Sequence, residues 1–205
     1  MVESLCCGFV FSNCYVISND KKECIVIDPG QNFLNNYKII TSKYSVKAVF
    51  LTHGHFDHID GIGYFKNIDI YIGINDKNMI YDLNDSLYNV FGYKRSYNPT
   101  EISIKTVNDN DIIEISDFKI KCISTPGHSK GGMVYEINGD LFCGDTIFNM
   151  SIGRSDFIGG SLTDLKKSIK KLFNLYDDSK VLYPGHNDMT TIGYEKKHNP
   201  FLTDL

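Results

Sequence analysis

The stretch Thr52-His53-Gly54-His55-Phe56-Asp57-His58 is the most informative part of this sequence, because it places three of the six histidines within six residues. It begins at the end of residues 48–52, a short apolar run that predicts a buried β-strand. Polar side chains at the carboxyl end of a buried strand commonly form the functional sites of α/β folds. The stretch therefore predicts a site at one edge of a sheet.

Three further side chains of the same chemical types follow predicted strands. His128 and His186 each follow a Pro-Gly pair, and Asp145 follows a glycine. Glycine lets the backbone turn sharply where a strand ends. We therefore expect these side chains to point at the same sheet edge as the histidine stretch.

Neutral imidazoles and carboxylates are the ligands that a borderline divalent ion such as zinc accepts, and three of them plus a water form a catalytic site. Seven such ligands suit two ions separated by about 3.5 to 4 Å. The hypothesis from the sequence is two groups of three ligands and one bridging carboxylate: His53, His55 and His128; Asp57, His58 and His186; and Asp145 between the groups.

Strand and helix patterns alternate in two similar halves of the chain. A hairpin is predicted from residues 9–17 and 24–28, and a helix over residues 162–175 begins at the capping residue Ser161. Asn138-Gly139 is typical of a two-residue hairpin turn. Later strands are predicted at residues 112–115, 118–124, 133–137, 140–143 and 181–183. This alternation predicts an α/β fold, an αββα four-layer sandwich, in a single domain over residues 1–205.

Composition excludes several classes of protein. The 205 residues carry a net charge of −4 and are 42% hydrophobic, which is ordinary for a globular protein and disfavours a nucleic-acid partner. No apolar run reaches the length of a membrane span, and the N-terminus does not resemble a signal peptide, so we expect a cytoplasmic protein without a membrane partner. The six cysteines are predicted to be reduced core residues. An oligomeric state is not predicted.

Other charged residues are candidates for binding the substrate or supporting the predicted site. Lys94, Arg95 and Arg154 are candidates for binding substrate carboxylates, although a solvated surface position is the more common role of such residues. Asp28 is interpreted as a turn-forming residue that could support the site from behind. His198 is interpreted as a surface residue, and residues 75–97 as a weak helix and a long surface loop.

The motif from Thr52 to His58, with Gly61 after it, resembles that of the metallo-β-lactamase superfamily, and the resemblance covers nearly the whole chain. Residues 13–15, 27–30, 125–128, 144–146 and 184–202 further resemble the short glyoxalase II-like hydrolases. The resemblance implies hydrolysis of a thioester of the S-lactoylglutathione kind with two divalent ions, zinc first and iron or manganese as alternatives. Asp57 would orient the attacking hydroxide.

Two features of the resemblance leave alternatives open. Residues 152–157 also resemble a segment of the persulfide dioxygenases, which share this fold but use one iron, so a mononuclear iron oxidoreductase is the rival hypothesis. The sequence also lacks the C-terminal helical domain that supplies much of the glutathione site in full-length glyoxalase II. We therefore expect little selectivity for glutathione, with recognition resting on residues 81–97 and Arg154.

Overall fold

Two six-stranded β-sheets face each other in the computed structural model, which describes residues 1–203. The first sheet follows the chain order, with its first three strands antiparallel and its last three added in parallel. Its strands are β1 (Val2–Cys7), β2 (Ser12–Ser18), β3 (Glu23–Ile27), β4 (Ser45–Leu51), β5 (Ile70–Gly73) and β6 (Ile104–Val107).

The strands of the second sheet are β7 (Ile112–Ile115), β8 (Phe118–Ser124), β9 (Met133–Ile137), β10 (Asp140–Gly144), β13 (Val181–Pro184) and β14 (Thr190–Thr191). They lie in the order β14-β13-β10-β9-β8-β7, and every neighbouring pair is antiparallel except β10 and β13, which are parallel. Asn138 and Gly139 have φ angles of 54° and 91°. Positive φ at both central residues is what a type I′ turn requires, so the predicted hairpin is confirmed.

Helices cover the outer faces of both sheets. The predicted helix over residues 162–175 is confirmed, and the Ser161 hydroxyl accepts a hydrogen bond from the Asp164 amide at 3.2 Å. Within residues 1–203 no helix combines the length and the apolar character needed to cross a membrane. The helices are α1 (Leu34–Lys43), α2 (Phe56–Ile59), α3 (Tyr88–Phe91), α4 (Leu162–Leu175) and α5 (Ile192–His198), with 3₁₀ turns at Asp60–Tyr64, Ile74–Ile80 and Pro99–Glu101, and a small hairpin of β11 (Ile147–Phe148) and β12 (Ser151–Ile152).

Three apolar clusters separate these layers. The central cluster lies between the two sheets, where Phe50 of β4 meets Tyr135 of β9 with ring centroids 5.0 Å apart. A second cluster lies between the first sheet and α1, and a third packs α4 and α5 on the second sheet. The alternation of helix, sheet, sheet and helix confirms the predicted αββα four-layer sandwich.

The structure corrects two details of the sequence interpretation. The predicted strand over residues 9–17 begins at Ser12, and the missed strand β1 lies before it, pairing with β2 from Val2 to Cys7. β1 is an edge strand with only one fully buried residue, so its apolar pattern is weak. Residues 75–97 are largely the exposed irregular chain that the sequence predicts, but their helical part is two short pieces, a 3₁₀ turn and α3, and Tyr88 is completely buried.

The cysteines are free, as predicted, and five of the six are buried. Cys6 is the exception, since its side chain is exposed on the outer strand β1. The expectation that all six are core residues is therefore wrong at this one position.

Candidate metal centre

The carboxyl ends of four strands bring the seven predicted ligands to one edge of the sandwich. His53 follows β4, His128 follows β8, Asp145 follows β10 and His186 follows β13. Backbone hydrogen bonds tie the two sheets together there: the Met133 amide donates to the Thr52 carbonyl at 2.8 Å, and the Asn13 amide donates to the Gly185 carbonyl at 2.7 Å. The predicted ligands therefore lie together at the carboxyl ends of strands, as expected from the sequence.

The first group consists of three buried imidazoles. His55 Nδ1 lies 2.8 Å from His128 Nε2, which lies 3.2 Å from His53 Nε2. Zinc binds imidazole nitrogen at about 2.0 to 2.1 Å in tetrahedral geometry, which places ligand nitrogens about 3.3 Å apart. The spacing of these nitrogens is therefore close to what one cation between them would impose.

The second group combines two imidazoles with a carboxylate. Asp57 Oδ2 lies 3.3 Å from His186 Nε2 and 3.4 Å from His58 Nε2. His186 is the most open of the three, with a side chain 22% exposed, whereas His58 is completely buried. This group therefore faces solvent on the His186 side.

Asp145 lies between the two groups. Its Oδ1 is 3.4 Å from His58 Nε2, and its Oδ2 is 3.5 Å from His128 Nε2 and 3.7 Å from His186 Nε2. A Cβ on Gly185 would approach Asp145 Oδ1 to 2.1 Å, so the glycine before His186 makes room for this carboxylate.

Unpaired atoms show that the arrangement fits cations. His58 Nε2 and Asp145 Oδ1 are both buried and have no hydrogen-bond partner, although they lie 3.4 Å apart. A buried polar atom without a partner is costly, and native structures rarely leave one unsatisfied. A divalent cation between these atoms would satisfy both, and the donor types are those of zinc, iron or manganese sites.

Burial and neighbouring charges set the protonation states of the site. Burial, reinforced by the neighbouring imidazoles, holds the pKa of His53 and that of His55 well below the usual value, so both rings are neutral and able to bind a metal. Burial also lowers the pKa of His58, but Asp57, Asp145 and Asp28 outweigh it and raise that pKa well above the usual value. The carboxylates therefore make the second group attractive to positive charge.

A layer of hydrogen bonds behind the ligands fixes the ring orientations. His58 Nδ1 lies 2.9 Å from Asp28 Oδ2, and His128 Nδ1 lies 2.6 Å from the Arg154 carbonyl, so the Nε2 atoms of both rings face the site. Asp28 also accepts hydrogen bonds from the amide and the hydroxyl of Thr52 at 2.8 and 2.6 Å. Asp28 supports the site from behind, and its φ of 50° places its backbone in the left-handed region directly after β3.

Asp76 is a supporting residue that the sequence analysis missed. Its completely buried carboxylate accepts hydrogen bonds from the Gly54 amide at 3.3 Å, the Ser129 hydroxyl at 2.6 Å and the Gly131 amide at 2.6 Å. It thereby joins the loop of His53 and His55 to the loop of His128. Asp76 lies just after β5, which pairs with β4 in parallel. The expectation that site residues follow the carboxyl ends of strands could therefore have identified it from the sequence.

The three candidate substrate cations have different surroundings. Arg154 makes a two-pronged ion pair with Asp156, with distances of 2.9 and 2.8 Å. Arg95 donates to the carbonyls of Ile80 and Tyr81, both at 3.2 Å, and so holds the chain rather than facing a ligand. Lys94 is exposed. His198, interpreted as a surface residue, is exposed and lies against Tyr194 outside the site.

Comparison with known proteins gives matches along most of the chain. Residues 7–186 match the metallo-beta-lactamase superfamily. GloC, a hydroxyacylglutathione hydrolase of Haemophilus influenzae, is 32% identical over 200 residues, which cover 93% of this chain and 92% of that protein. YqgX, a probable metallo-hydrolase of Bacillus subtilis, is 34% identical over 203 residues, covering 95% and 94%.

Solved structures agree with these sequence matches. The crystal structure of the B3 metallo-beta-lactamase BLEG-1 superimposes with a TM-score of 0.90 at 30% identity and covers 99% of this chain and 100% of that one. A protein crystallised in a di-iron-bound form gives a TM-score of 0.84 at 25% identity, covering 98% and 100%. With the sequence match, the two-sheet fold and the clustered histidines in agreement, this chain belongs to the metallo-β-lactamase superfamily.

Proposed function

We propose that the chain is a two-metal hydrolase whose substrate is a thioester. The observation that carries the proposal is the position of Asp145, whose two carboxylate oxygens face both ligand groups at 3.4 to 3.7 Å. A site for one ion would not need the complete second group of Asp57, His58 and His186. The relative that was crystallised with two irons supports a dinuclear centre here as well.

Each of the seven side chains has a proposed role in holding the metal ions or orienting the attacking water. His53, His55 and His128 would hold one ion, Asp57, His58 and His186 the other, and Asp145 would touch both. When bound, such ions would lower the pKa of a bound water to about 7, so that hydroxide is available at neutral pH, and would polarise a carbonyl. The Asp57 carboxylate lies beside the partly exposed His186, where it would accept a hydrogen bond from the attacking water and so orient it toward the substrate carbonyl.

A thioester fits this site because its thiolate leaves without help from a general acid. Hydrolysis of an amide needs a proton donor for the departing nitrogen, whereas a thiolate is stable at neutral pH. Some of the relatives are hydroxyacylglutathione hydrolases, and these names support a thioester as the substrate of this chain as well. Zinc is the proposed metal, with iron and manganese as alternatives, because imidazole suits zinc and iron and carboxylate suits manganese.

The decisive experiment measures metals and two activities on one preparation purified without chelator. We expect close to two divalent ions per chain and hydrolysis of S-lactoylglutathione or a simpler lactoyl thioester, read from release of free thiol. One iron per chain together with oxygen uptake on glutathione persulfide would instead establish the rival oxidoreductase function. An Asp57→Asn variant should lose most turnover, and elemental analysis of the same variant shows whether the loss follows from a missing second ion or from the missing orienting carboxylate.

A further inference from the structure

Five aromatic side chains form a chain of ring contacts that begins at the candidate metal centre, and we call this set the aromatic wall. Phe157 lies edge-on to His55, with ring centroids 5.7 Å apart, and Phe91 follows at 6.1 Å. Phe56 contacts Phe91 at 5.3 Å and Tyr93 at 5.0 Å, and Phe9 stacks on Tyr93 at 6.5 Å. The wall therefore extends outward from a candidate ligand.

Part of this wall is open to solvent. Phe9 is 69% exposed and Phe91 is 45% exposed, while Phe56 is buried beneath them. A contiguous exposed apolar patch on a soluble protein commonly marks a binding surface. Here the patch adjoins the polar centre, so a ligand can place a reactive group at the metals and an apolar group on the rings.

The segment that carries Phe91 and Tyr93 is fixed at both ends. The Tyr88 hydroxyl donates to the buried Asp60 carboxylate at 2.6 Å, and the Ser96 amide donates to the same oxygen at 3.0 Å. Arg95 adds its two hydrogen bonds to the carbonyls of Ile80 and Tyr81. A surface held in this way is preformed, so little conformational entropy is lost when a ligand binds to it.

Charge around the wall argues against a highly charged ligand group. The two carboxylates of a glutathione moiety would need cationic partners, and of the three candidates only the exposed Lys94 is left for them, because Arg154 is engaged by Asp156 and also lies over the Phe157 ring, 4.2 Å from its centroid. Arg95 is engaged by backbone carbonyls. Apolar contact is the better-supported source of affinity on this side of the site.

We propose that the aromatic wall binds an apolar group of the substrate, so that the preferred thioesters carry an alkyl or aromatic group next to the scissile bond. This inference rests on the proposed thioester hydrolase function, and it names the substrate class. Phe157 and Phe91 are the specificity-determining residues: Phe157 contacts the group nearest the metals, and Phe91 contacts the more distant part.

The first experiment measures binding without turnover. Thioethers that carry alkyl chains of two to eight carbons lack a scissile carbonyl, and calorimetry gives their affinity for the metal-loaded protein. We expect affinity to rise about twofold to fourfold per methylene over the first few carbons, because each buried methylene contributes a favourable transfer free energy. In Phe91→Ala the rise should be at least halved.

A matched control removes an aromatic ring of similar exposure elsewhere. Tyr64 is 37% exposed, and its ring stacks on Tyr37, which is not one of the five wall residues. Tyr64→Ala should keep the chain-length dependence of the wild-type protein, and metal content should be unchanged in both variants. Equal affinities along the thioether series, or an unchanged dependence in both Phe91→Ala and Phe157→Leu, would overturn the assignment of the wall.

The second experiment measures kcat/KM for two series of thioesters. One series lengthens the acyl group at a constant thiol and the other makes the thiol more apolar at a constant acyl group, so the two slopes show which side of the bond contacts the wall. A preference above about a hundredfold for glutathione over apolar thiols would contradict the proposal. If no thioester is hydrolysed but the thioether dependence persists, the proposed reaction fails and the wall remains an apolar binding surface for another substrate.

Discussion

Buried carboxylates in this protein fall into two kinds, according to whether their hydrogen-bonding capacity is filled. Asp76 accepts from three neutral donors, and Glu195 accepts from the Thr190 hydroxyl, the Asn199 amide group and the Met150 backbone amide. Asp145 keeps one buried oxygen without a partner. A buried charge is tolerated only when it is compensated, so the filled carboxylates position the chain and the unfilled one is the better ligand.

Replacing Asp145 by alanine should reduce metal content to one ion or fewer per chain. The bridging carboxylate offsets the repulsion between two cations, so its loss weakens both positions. Turnover should fall by more than about a hundredfold, since residues outside the ligand shell already contribute 10- to 100-fold. Elemental analysis and a thioester assay check this, with Asp140→Ala on the same strand as the control. Two retained metals and near-normal turnover would refute the bridging role.

Replacing Asp76 by asparagine should weaken the connection between the two histidine loops. One acceptor oxygen becomes an NH₂ group that must face a backbone amide, leaving a buried donor unsatisfied at about 1 to 3 kcal/mol. Urea unfolding should show that loss of stability, and metal affinity should fall about 10- to 100-fold. Asp117→Asn, an exposed carboxylate paired with Lys21, is the control and should be nearly neutral. Wild-type stability and metal affinity in Asp76→Asn would argue against this connecting role.

At the scale of elements, α4 holds the loop that carries His128. The Ser161 amide donates to the Gly127 carbonyl at 2.8 Å, and the Ser168 hydroxyl donates to the Pro126 carbonyl at 2.7 Å. A Cβ on Gly127 would come within 2.2 Å of the Leu165 backbone nitrogen, so the close approach of loop and helix requires glycine there. The first two turns of α4 thus set the position of a candidate ligand.

Replacing Ser161 by alanine should destabilise the protein by about 1 kcal/mol, because the Asp164 amide loses its capping oxygen. Chemical unfolding measures the change. Ser42→Ala is a matched control, since Ser42 lies within α1 and its hydroxyl donates to the Ile39 carbonyl without capping the helix. Alanine has the higher helix propensity there, so the control should be neutral or slightly stabilising. An equal loss in both variants would show that Ser161 does not act as a cap.

At the scale of the whole molecule, the parts that follow from local patterns could be predicted and the parts that depend on distant contacts could not. The Asn138-Gly139 turn and α4 were clear because their signals lie within a few residues. β1 was missed because it is a half-buried edge strand defined by its pairing with β2. Asp76 and Phe157 were missed as parts of the site because their partners lie far away in sequence.

The proposed seven-ligand centre would couple metal binding to folding, because its side chains come from both sheets and gather only in the folded chain. Ions that bind only the folded state stabilise it by about 4 kcal/mol at a thousandfold excess over Kd, which corresponds to a rise in Tm of about 10 °C for a chain of this size. Chelation should therefore lower Tm by that amount, and Asp145→Ala should show a smaller shift.

Two probes follow the same unfolding reaction. The chain has 13 tyrosines and no tryptophan, so tyrosine fluorescence reports packing while circular dichroism reports secondary structure. For the predicted single domain both probes should give one coincident transition, with and without metal. Two separate transitions would contradict the single-domain prediction. An unchanged Tm on chelation would mean instead that the seven side chains do not bind metal tightly in the folded chain.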